Sequence, residues 1–330
     1  MPQPFYPDMN MTMPFITRRS LLAFAAAFPA ASMFPIRSYG NTGVPSSQLL
    51  SSEEVSKLFI RFAEERRMPP ELGRWLGNKS IQEISPYKVF DNVWCVGICW
   101  VSAYAIRTKD GVILIDTLHE PFVDKLLSNL REVGIDLSEI KYVLMTHGHF
   151  DHVGGAWRLR ELLPHARFGM SARGWAEAKG HEKERNGFRM PPADLILKDG
   201  DKIALGETIV TVLETPGHTW GTCSYLYDVR DGDEMHRAVT IGGQGLNAMD
   251  DLKQLEAYIG SMRRLGDPAL GIDVDLTAHP FSTGQTEKIP AIRAHRHGEP
   301  HPLVDRNAYL ERLERLIAGA ERYRRQGARA

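Results

Sequence analysis

The stretch of sequence that decides the fold reads Thr146-His147-Gly148-His149-Phe150-Asp151-His152. Its first residue ends the largely apolar run 141–146, and this run predicts a buried β-strand. In extended backbone His147 and His149 point to the same side, and Asp151 and His152 turn back toward them at the start of a helix. Imidazole and carboxylate groups are ligands that zinc and similar divalent ions accept. The stretch therefore predicts a metal-binding loop at a strand end, in preference to a solvated polar loop.

Two further histidines also follow predicted strands. His218 stands in the turn Pro216-Gly217-His218-Thr219, and His279 stands in Ala278-His279-Pro280. Alone, each is a weak signal, because a lone histidine in a turn is usually solvated. Together with the loop they provide three ligands for each of two metals, and three protein ligands with an open position are typical of catalytic zinc. The predicted ligands are His147, His149, Asp151, His152, His218 and His279.

These motifs resemble those of the metallo-β-lactamase superfamily, and are most like those of its subclass B3. The resemblance covers residues 75–325. It also includes Phe188 with 191–193 (Pro-Pro-Ala), 198–201 (Lys-Asp-Gly-Asp) and 302–305 (Pro-Leu-Val-Asp). It implies an α/β (α+β) fold, namely a four-layer αββα sandwich with two zinc ions at one edge.

The resemblance also implies how the ligands are divided between the two metals. His147, His149 and His218 would hold the first zinc, and Asp151, His152 and His279 would hold the second. Asp116, at the end of its own strand, matches a carboxylate that supports the metal loop. Capping the turn after that strand is a structural role compatible with this one.

Two departures from the family pattern concern the substrate. Many members of the superfamily carry a bridging Asp on the strand that matches 239–241, whereas this chain continues with Gly242-Gly243. The absence of that Asp is a subclass B3 feature and argues against the thioesterase, phosphodiesterase and nuclease branches. B3 enzymes also usually have serines after this strand, which meet the substrate carboxylate. Here only Gln244 or Asn247 could replace them as hydrogen-bond donors.

The predicted chemistry is zinc-assisted hydrolysis of a cyclic amide. Zinc lowers the pKa of bound water from about 15.7 toward about 7, so that a metal-bound hydroxide can attack the carbonyl at neutral pH. Asp151 is the predicted catalytic residue, because it could hold this nucleophile by a hydrogen bond. A B3-like β-lactamase is the favoured interpretation. The alternatives are an exported dinuclear zinc hydrolase of another ester, lactone or amide, and a non-catalytic metal-binding protein, which the complete ligand set disfavours.

Other segments are candidates for shaping the pocket. The loop 98–100 and Trp220 could contact a substrate, and the polar loop 180–190 could act as a lid, although core and surface roles are equally compatible with these sequences. The remaining histidines are expected at the surface. Among them, His295-Arg296-His297 alternates as metal ligands do, but it lacks a preceding strand and an acidic partner. The histidines expected at the surface are His119, His165, His236, His295, His297 and His301.

The composition of the 330-residue chain is that of a soluble globular protein, with 43% hydrophobic and 25% charged residues. The formal net charge of −1 argues against nucleic acid or anionic lipid as a partner and leaves a small-molecule substrate. Three cysteines are too few for a disulfide framework. Cys95 and Cys99 are expected on one face of a strand, roughly 13 Å apart, which is too far for a bond. The oligomeric state is not readable from the sequence.

The first residues have the pattern of an export signal. Thr17-Arg18-Arg19-Ser20-Leu21-Leu22 is followed by the apolar run 23–28 and then by small residues. Paired arginines before a short apolar run predict a twin-arginine signal and a periplasmic protein, with an uncleaved membrane anchor as the alternative. The run is too short to span a bilayer, so no stable membrane span is expected after signal removal. The predicted division is 1–40 signal peptide and linker, 41–85 N-terminal helical extension, and 86–330 catalytic domain.

Overall fold

The computed structural model describes residues 50–182, 188–246 and 251–327. The predicted signal peptide, Asn247 and the middle of the predicted lid loop lie outside these residues. Among the described residues, no helix is both long enough and apolar enough to cross a membrane.

Helices and strands alternate along the described chain, as the sequence predicts. The helices are α1 (Ser52–Glu65), α2 (Pro70–Gly77), α3 (Lys79–Gln82), α4 (Val123–Glu132), α5 (Phe150–Val153), α6 (Ala156–Leu162), α7 (Ala172–His181), α8 (Leu252–Leu265), α9 (Gln285–Ala294) and α10 (Arg306–Gly327). The strands are β1 (Tyr87–Phe90), β2 (Val93–Cys95), β3 (Tyr104–Thr108), β4 (Gly111–Ile115), β5 (Ile140–Leu144), β6 (Arg167–Ser171), β7 (Leu195–Leu197), β8 (Lys202–Leu205), β9 (Thr208–Glu214), β10 (Cys223–Asp231), β11 (Glu234–Thr240) and β12 (Val274–Asp275).

The strands form two mixed sheets. The first follows chain order from β1 to β7, with an antiparallel meander up to β4 and parallel pairing from β4 onward. The second has the order β12-β11-β10-β9-β8 and is antiparallel except for the β11–β12 pair. Parallel pairing places the carboxyl ends of β4 and β5 at the same edge, where the predicted metal loop begins.

Alternation of side chains along β10 shows how the layers pack. Tyr225 and Tyr227 point into the core between the sheets, whereas Leu226 points outward to a second apolar cluster. That second cluster contains Tyr258 of α8 and Leu313 of α10, so these helices cover the outer face of the second sheet. Helices α4 and α6 contribute buried leucines to the main core beside the first sheet. The predicted four-layer αββα sandwich is confirmed.

The predicted N-terminal helices pack onto this sandwich. Ser51 caps α1, and its side chain and that of Glu54 form a capping box. The backbone N–H of Ser52 donates to Glu287 of α9 at 2.6 Å. The ring of Phe59 stacks on that of Phe281, with centroids 5.0 Å apart. The extension therefore lies against the edge that carries His279.

The expectation that Cys95 and Cys99 lie on one strand is wrong, because β2 ends at Cys95. Residues 96–103 form a buried loop, in which the N–H of Ile98 donates to the carbonyl of Val101 at 2.9 Å. The apolar residues of this loop resemble a strand because they are buried. Gly97 permits the tight turn, since a Cβ there would lie 2.4 Å from the Val101 carbonyl. Cys99 is consequently not on a strand face with Cys95, and both cysteines are free and buried.

Asn129 of α4 fixes this loop, and its removal should destabilise the protein. The buried side-chain amide donates to the carbonyls of Val96 at 3.0 Å and Gly97 at 3.1 Å. We expect Asn129→Ala to lower the free energy of unfolding by about 1–3 kcal/mol, because it leaves buried carbonyls without donors. Urea unfolding measures the effect, and Ser128→Ala, at an exposed position in the same helix, is the control. Equal stability of the two variants would contradict this role.

Candidate metal centre

All six predicted ligands lie at one edge of the sandwich, after the carboxyl ends of strands from both sheets. Backbone and side-chain hydrogen bonds join the sheets there. The N–H of Cys223 donates to the carbonyl of Thr146 at 2.8 Å, and the hydroxyl of Tyr225 donates to the carbonyl of Met145 at 2.6 Å. These contacts hold the loop after β5 against the second sheet.

His147, His149 and His218 form the first triad. The Nε2 atom of His218 lies 3.1 Å from Nε2 of His147 and 3.1 Å from Nδ1 of His149, and the latter two atoms are 3.0 Å apart. His147 is fully buried. One nitrogen atom from each ring therefore faces a common point.

Asp151, His152 and His279 form the second triad. Nε2 of His152 lies 3.0 Å from Oδ2 of Asp151 and 3.2 Å from Nε2 of His279. The distance between Oδ2 of Asp151 and Nε2 of His279 is 3.6 Å. His152 is fully buried and Asp151 nearly so. In each triad the three ligand atoms lie within 4.8 Å of one another. The structure thus brings the six predicted ligands together in the two groups that the family resemblance implies.

Hydrogen bonds from the outer ring nitrogens fix the histidine tautomers. Nδ1 of His218 donates to the carbonyl of Gly245 at 2.7 Å, and Nδ1 of His279 donates to the carbonyl of Trp100 at 2.7 Å. Nδ1 of His152 donates to the carboxylate of Asp116 at 2.8 Å. Since carbonyl and carboxylate oxygens only accept, the proton is on Nδ1, and the Nε2 lone pair of a neutral ring points into the triad. Such outer partners orient metal-binding histidines.

Burial keeps most of these imidazoles neutral. It lowers the pKa of His218 and of His279 to about 4, and that of His149 to about 3. Burial also lowers the pKa of His147 well below its usual value. In His152, burial is outweighed by the carboxylates of Asp151 and Asp116, which raise its pKa to about 10. Four of the five rings therefore present lone pairs at neutral pH, and facing lone pairs are stabilised by a shared cation.

Asp116 supports the loop as the sequence predicts. Its Oδ1 accepts the backbone N–H of Thr146 at 2.8 Å, and its Oδ2 accepts the Thr146 hydroxyl at 3.0 Å besides the ring of His152. Asp116 has a φ of 63°, in the left-handed region that few non-glycine residues adopt. The strained backbone conformation directs one carboxylate to both the start and the end of the metal loop.

Gly243 lies directly against the first triad. A Cβ at this position would be 2.4 Å from the ring of His218, and one at Gly242 would be 2.0 Å from the carbonyl of Cys223. Neither position can accept a side chain without displacing its neighbour. Gly243 is therefore a steric requirement of how His218 is placed, and Gly242 is a requirement of the close approach of the Cys223 backbone.

The expectation that Gln244 serves as a substrate donor does not fit its contacts. Its buried side-chain amide donates to the hydroxyl of Thr277 at 2.7 Å, and its carbonyl oxygen accepts from the guanidinium of Arg312. Arg312 is in turn paired with Asp275. The amide of Gln244 is thus engaged inside the protein.

Aromatic residues surround the second triad. The indole of Trp100 stacks on the ring of His279, with centroids 5.6 Å apart, so the predicted pocket loop does reach the site. His119, expected at the surface, instead packs between Trp100 and Phe150, with centroids 5.7 and 5.0 Å away, and burial lowers its pKa. Phe150 and Trp220 remain partly exposed. His119 escaped prediction because no local periodicity marks it.

Comparisons with known proteins identify the class to which these features correspond. Residues 96–231 match the family model of the metallo-beta-lactamase superfamily. The structure is similar to BJP-1, a subclass B3 metallo-beta-lactamase of Bradyrhizobium japonicum, with a TM-score of 0.67 and 24% identity over 76% of this chain and 97% of that one. It is also similar to native FEZ-1 metallo-beta-lactamase from Legionella gormanii, with a TM-score of 0.68 and 24% identity over 75% of this chain and 98% of that one. The resemblance to the superfamily is confirmed over residues 96–231, and the chain shares its fold with these two enzymes.

Curated relatives match shorter regions. A probable polyketide biosynthesis zinc-dependent hydrolase, BaeB, of Bacillus velezensis is 32% identical over 44% of this chain and 56% of its own length. A hydroxyacylglutathione hydrolase of Cereibacter sphaeroides is 41% identical over 32% of this chain and 36% of its own. The chain therefore covers about half or less of the length of these relatives.

The contact between Gly243 and His218 can be tested by adding one methyl group. We expect Gly243→Ala to lower the free energy of unfolding by about 1–3 kcal/mol, as overpacking of a filled site does. Gly260→Ala is the matched control, since a Cβ on Gly260 of α8 would meet nothing within 4 Å, and we expect it to be stabilising by roughly 0.5–1 kcal/mol. Denaturant unfolding of both variants measures the difference. A Gly243→Ala protein as stable as the unmutated chain would refute the close packing.

Proposed function

We propose that the protein is a dinuclear zinc hydrolase that opens the β-lactam ring, acting in the periplasm after export by its twin-arginine signal. The division of the chain into a signal segment, a helical extension and a catalytic domain belongs to this proposal. The donor atoms of the two triads support the proposed zinc chemistry. The glycine pair beside His218 supports the proposed β-lactam substrate.

The first triad suits zinc in both geometry and chemistry. Because its nitrogen atoms are 3.0–3.1 Å apart, a point about 2 Å from all three lies just outside their plane, and this is the usual Zn–N distance. The second triad adds a carboxylate to two imidazoles, which is a set that zinc also accepts. Under this proposal His147, His149 and His218 hold one ion, and Asp151, His152 and His279 hold the other.

When bound, the zinc ions supply Lewis-acid chemistry and lower the pKa of water to about 7. The residues of the chain orient the attacking water and the substrate. Asp151 directs Oδ2 at His152 and His279, and its other carboxylate oxygen can accept a hydrogen bond from the attacking water. Trp100 and Phe150 provide an apolar wall beside the second triad, where they can exclude bulk water and orient the substrate.

The glycine pair is the observation that carries the β-lactamase assignment. By the resemblance, other branches of the superfamily place a bridging Asp near this position, and the site would then lack room for the present His218 rotamer. The B3 pattern, which omits that Asp, agrees with the lack of room for a side chain at Gly243, where a Cβ would lie 2.4 Å from the ring of His218. The similarity to BJP-1 and FEZ-1 over nearly their whole length supports the same choice.

A second candidate is an exported dinuclear zinc hydrolase of another ester, lactone or amide. It is favoured by the engagement of Gln244 with Thr277 and Arg312, which removes a donor that could meet a β-lactam carboxylate. The names of the curated relatives, zinc-dependent hydrolase and hydroxyacylglutathione hydrolase, point in the same direction.

Substrate panels distinguish the two candidates. We expect the zinc-loaded enzyme to hydrolyse nitrocefin or a carbapenem, and expect EDTA to abolish turnover and added Zn²⁺ to restore it. The same preparation is assayed on a homoserine lactone and on S-lactoylglutathione as an ester-class and a thioester-class substrate. Turnover of either of these with none of any β-lactam would replace the first candidate by the second.

Metal analysis tests the division of the ligands. We expect the zinc-loaded protein to hold two ions at this centre and His279→Ala to lose one, because two ligands seldom retain zinc against dialysis. The exposed His165→Ala is the control and should bind as much zinc as the unmutated chain. Retention of full zinc by His279→Ala would contradict the second site.

A further inference from the structure

A second group of histidine and aspartate side chains lies far from the triads. It joins Asp91 in the β1–β2 turn, Asp231 at the end of β10, and His295 and His297 in the segment after α9. Strand β10 begins beside the metal centre at Cys223 and ends at Asp231. At about 3.3 Å per residue, its length separates the two groups by roughly 25 Å.

In the sequence, the motif His295-Arg296-His297 contains no acidic partner, but the fold supplies two. Nε2 of His297 lies 3.1 Å from Oδ2 of Asp91 and 3.7 Å from Oδ1 of Asp231. One ligand atom from each of these three residues falls within 4.8 Å of the others. The expectation that His295 is a surface residue is wrong, since its side chain is nearly buried against Asp231.

Both carboxylates are held in place by other groups. Nε2 of His295 contacts Oδ2 of Asp231 at 2.8 Å, which leaves Oδ1 directed to His297. The N–H of Gly232 donates to Oδ2 of Asp91 at 2.8 Å. Carboxylates fixed by a neighbouring histidine or backbone amide are the usual surroundings of a protein metal ion.

We propose that Asp91, Asp231 and His297 form a separate binding site for one divalent transition-metal ion of the Zn²⁺ class, with His295 as a positioning residue for Asp231. Two carboxylates and one imidazole make three protein ligands, and a remaining position opens to a cavity of about 580 Å³. The ion would join three segments that are distant in sequence.

Three basic side chains, Lys88, Arg293 and Arg296, line the cavity, and Lys88 pairs with a carboxylate of the proposed site. Asp91 is ionised at neutral pH: burial opposes this, but the Gly232 amide, Lys88 and His297 lower its pKa to about 2. Lys88 contacts Oδ1 of Asp91 at 3.1 Å and would be displaced by the ion. Its side chain is 55% exposed, so it can turn into solvent.

The test counts zinc in matched variants of the full chain. The unmutated protein, His297→Ala, Asp91→Asn and His165→Ala are dialysed against buffers of fixed free Zn²⁺ from the nanomolar to the micromolar range, and zinc per chain is measured by elemental analysis. His297 and His165 are both exposed, so neither substitution should prevent folding, which circular dichroism verifies.

We expect His297→Ala and Asp91→Asn each to hold one zinc ion fewer than the unmutated protein and His165→Ala to lose none. His295→Ala should keep the site with affinity weakened about 10- to 100-fold, the usual effect of removing an outer partner. Equal zinc content in all variants would overturn the proposal, as would an equal loss in His165→Ala. Failure of this proposal is distinguishable from failure of the proposed function, because His279→Ala changes zinc binding at the two triads and the variants used here do not.

Discussion

The metal loop depends on the carboxylate of Asp116. This single group accepts the N–H and the hydroxyl of Thr146 at the start of the loop and the ring of His152 at its end. It is fully enclosed, so each of these charge-assisted hydrogen bonds is strong and each would be costly to lose. Because the loop supplies ligands to both triads, the position of one buried carboxylate sets the geometry of the whole centre.

The second constraint is the junction of the two sheets. The loop after β5 carries four of the ligands, whereas His218 and His279 follow strands of the other sheet. The bonds from Cys223 and Tyr225 to the carbonyls of Thr146 and Met145 bring these sets together. The triads are therefore a property of sheet packing, and burial in that junction accounts for the lowered pKa values of His149, His218 and His279.

The sequence is informative where the chemistry is local. The loop 147–152 is recognisable because its ligands are close together after an apolar strand, whereas His218 and His279 are persuasive only as a set completed by family resemblance. Contacts between residues that are distant in the sequence cannot be predicted in this way. The loop 96–103 looks like a strand because its residues are apolar, whereas its turn depends on Asn129 of α4. The engagement of Gln244 likewise depends on Arg312 in the last helix. The predictions that His119 and His295 lie at the surface are wrong for the same reason.

The outer partners of the histidines have a consequence for how this protein can change over generations. Two of them are main-chain carbonyls, those of Gly245 and Trp100, and every amino acid would provide them. Substitutions in the surrounding loops can therefore remodel the pocket wall while the imidazoles keep their orientation. Insertions or deletions are another matter, because they move the carbonyls themselves. Diversification of substrate preference should proceed by exchange of side chains, with loop lengths held fixed.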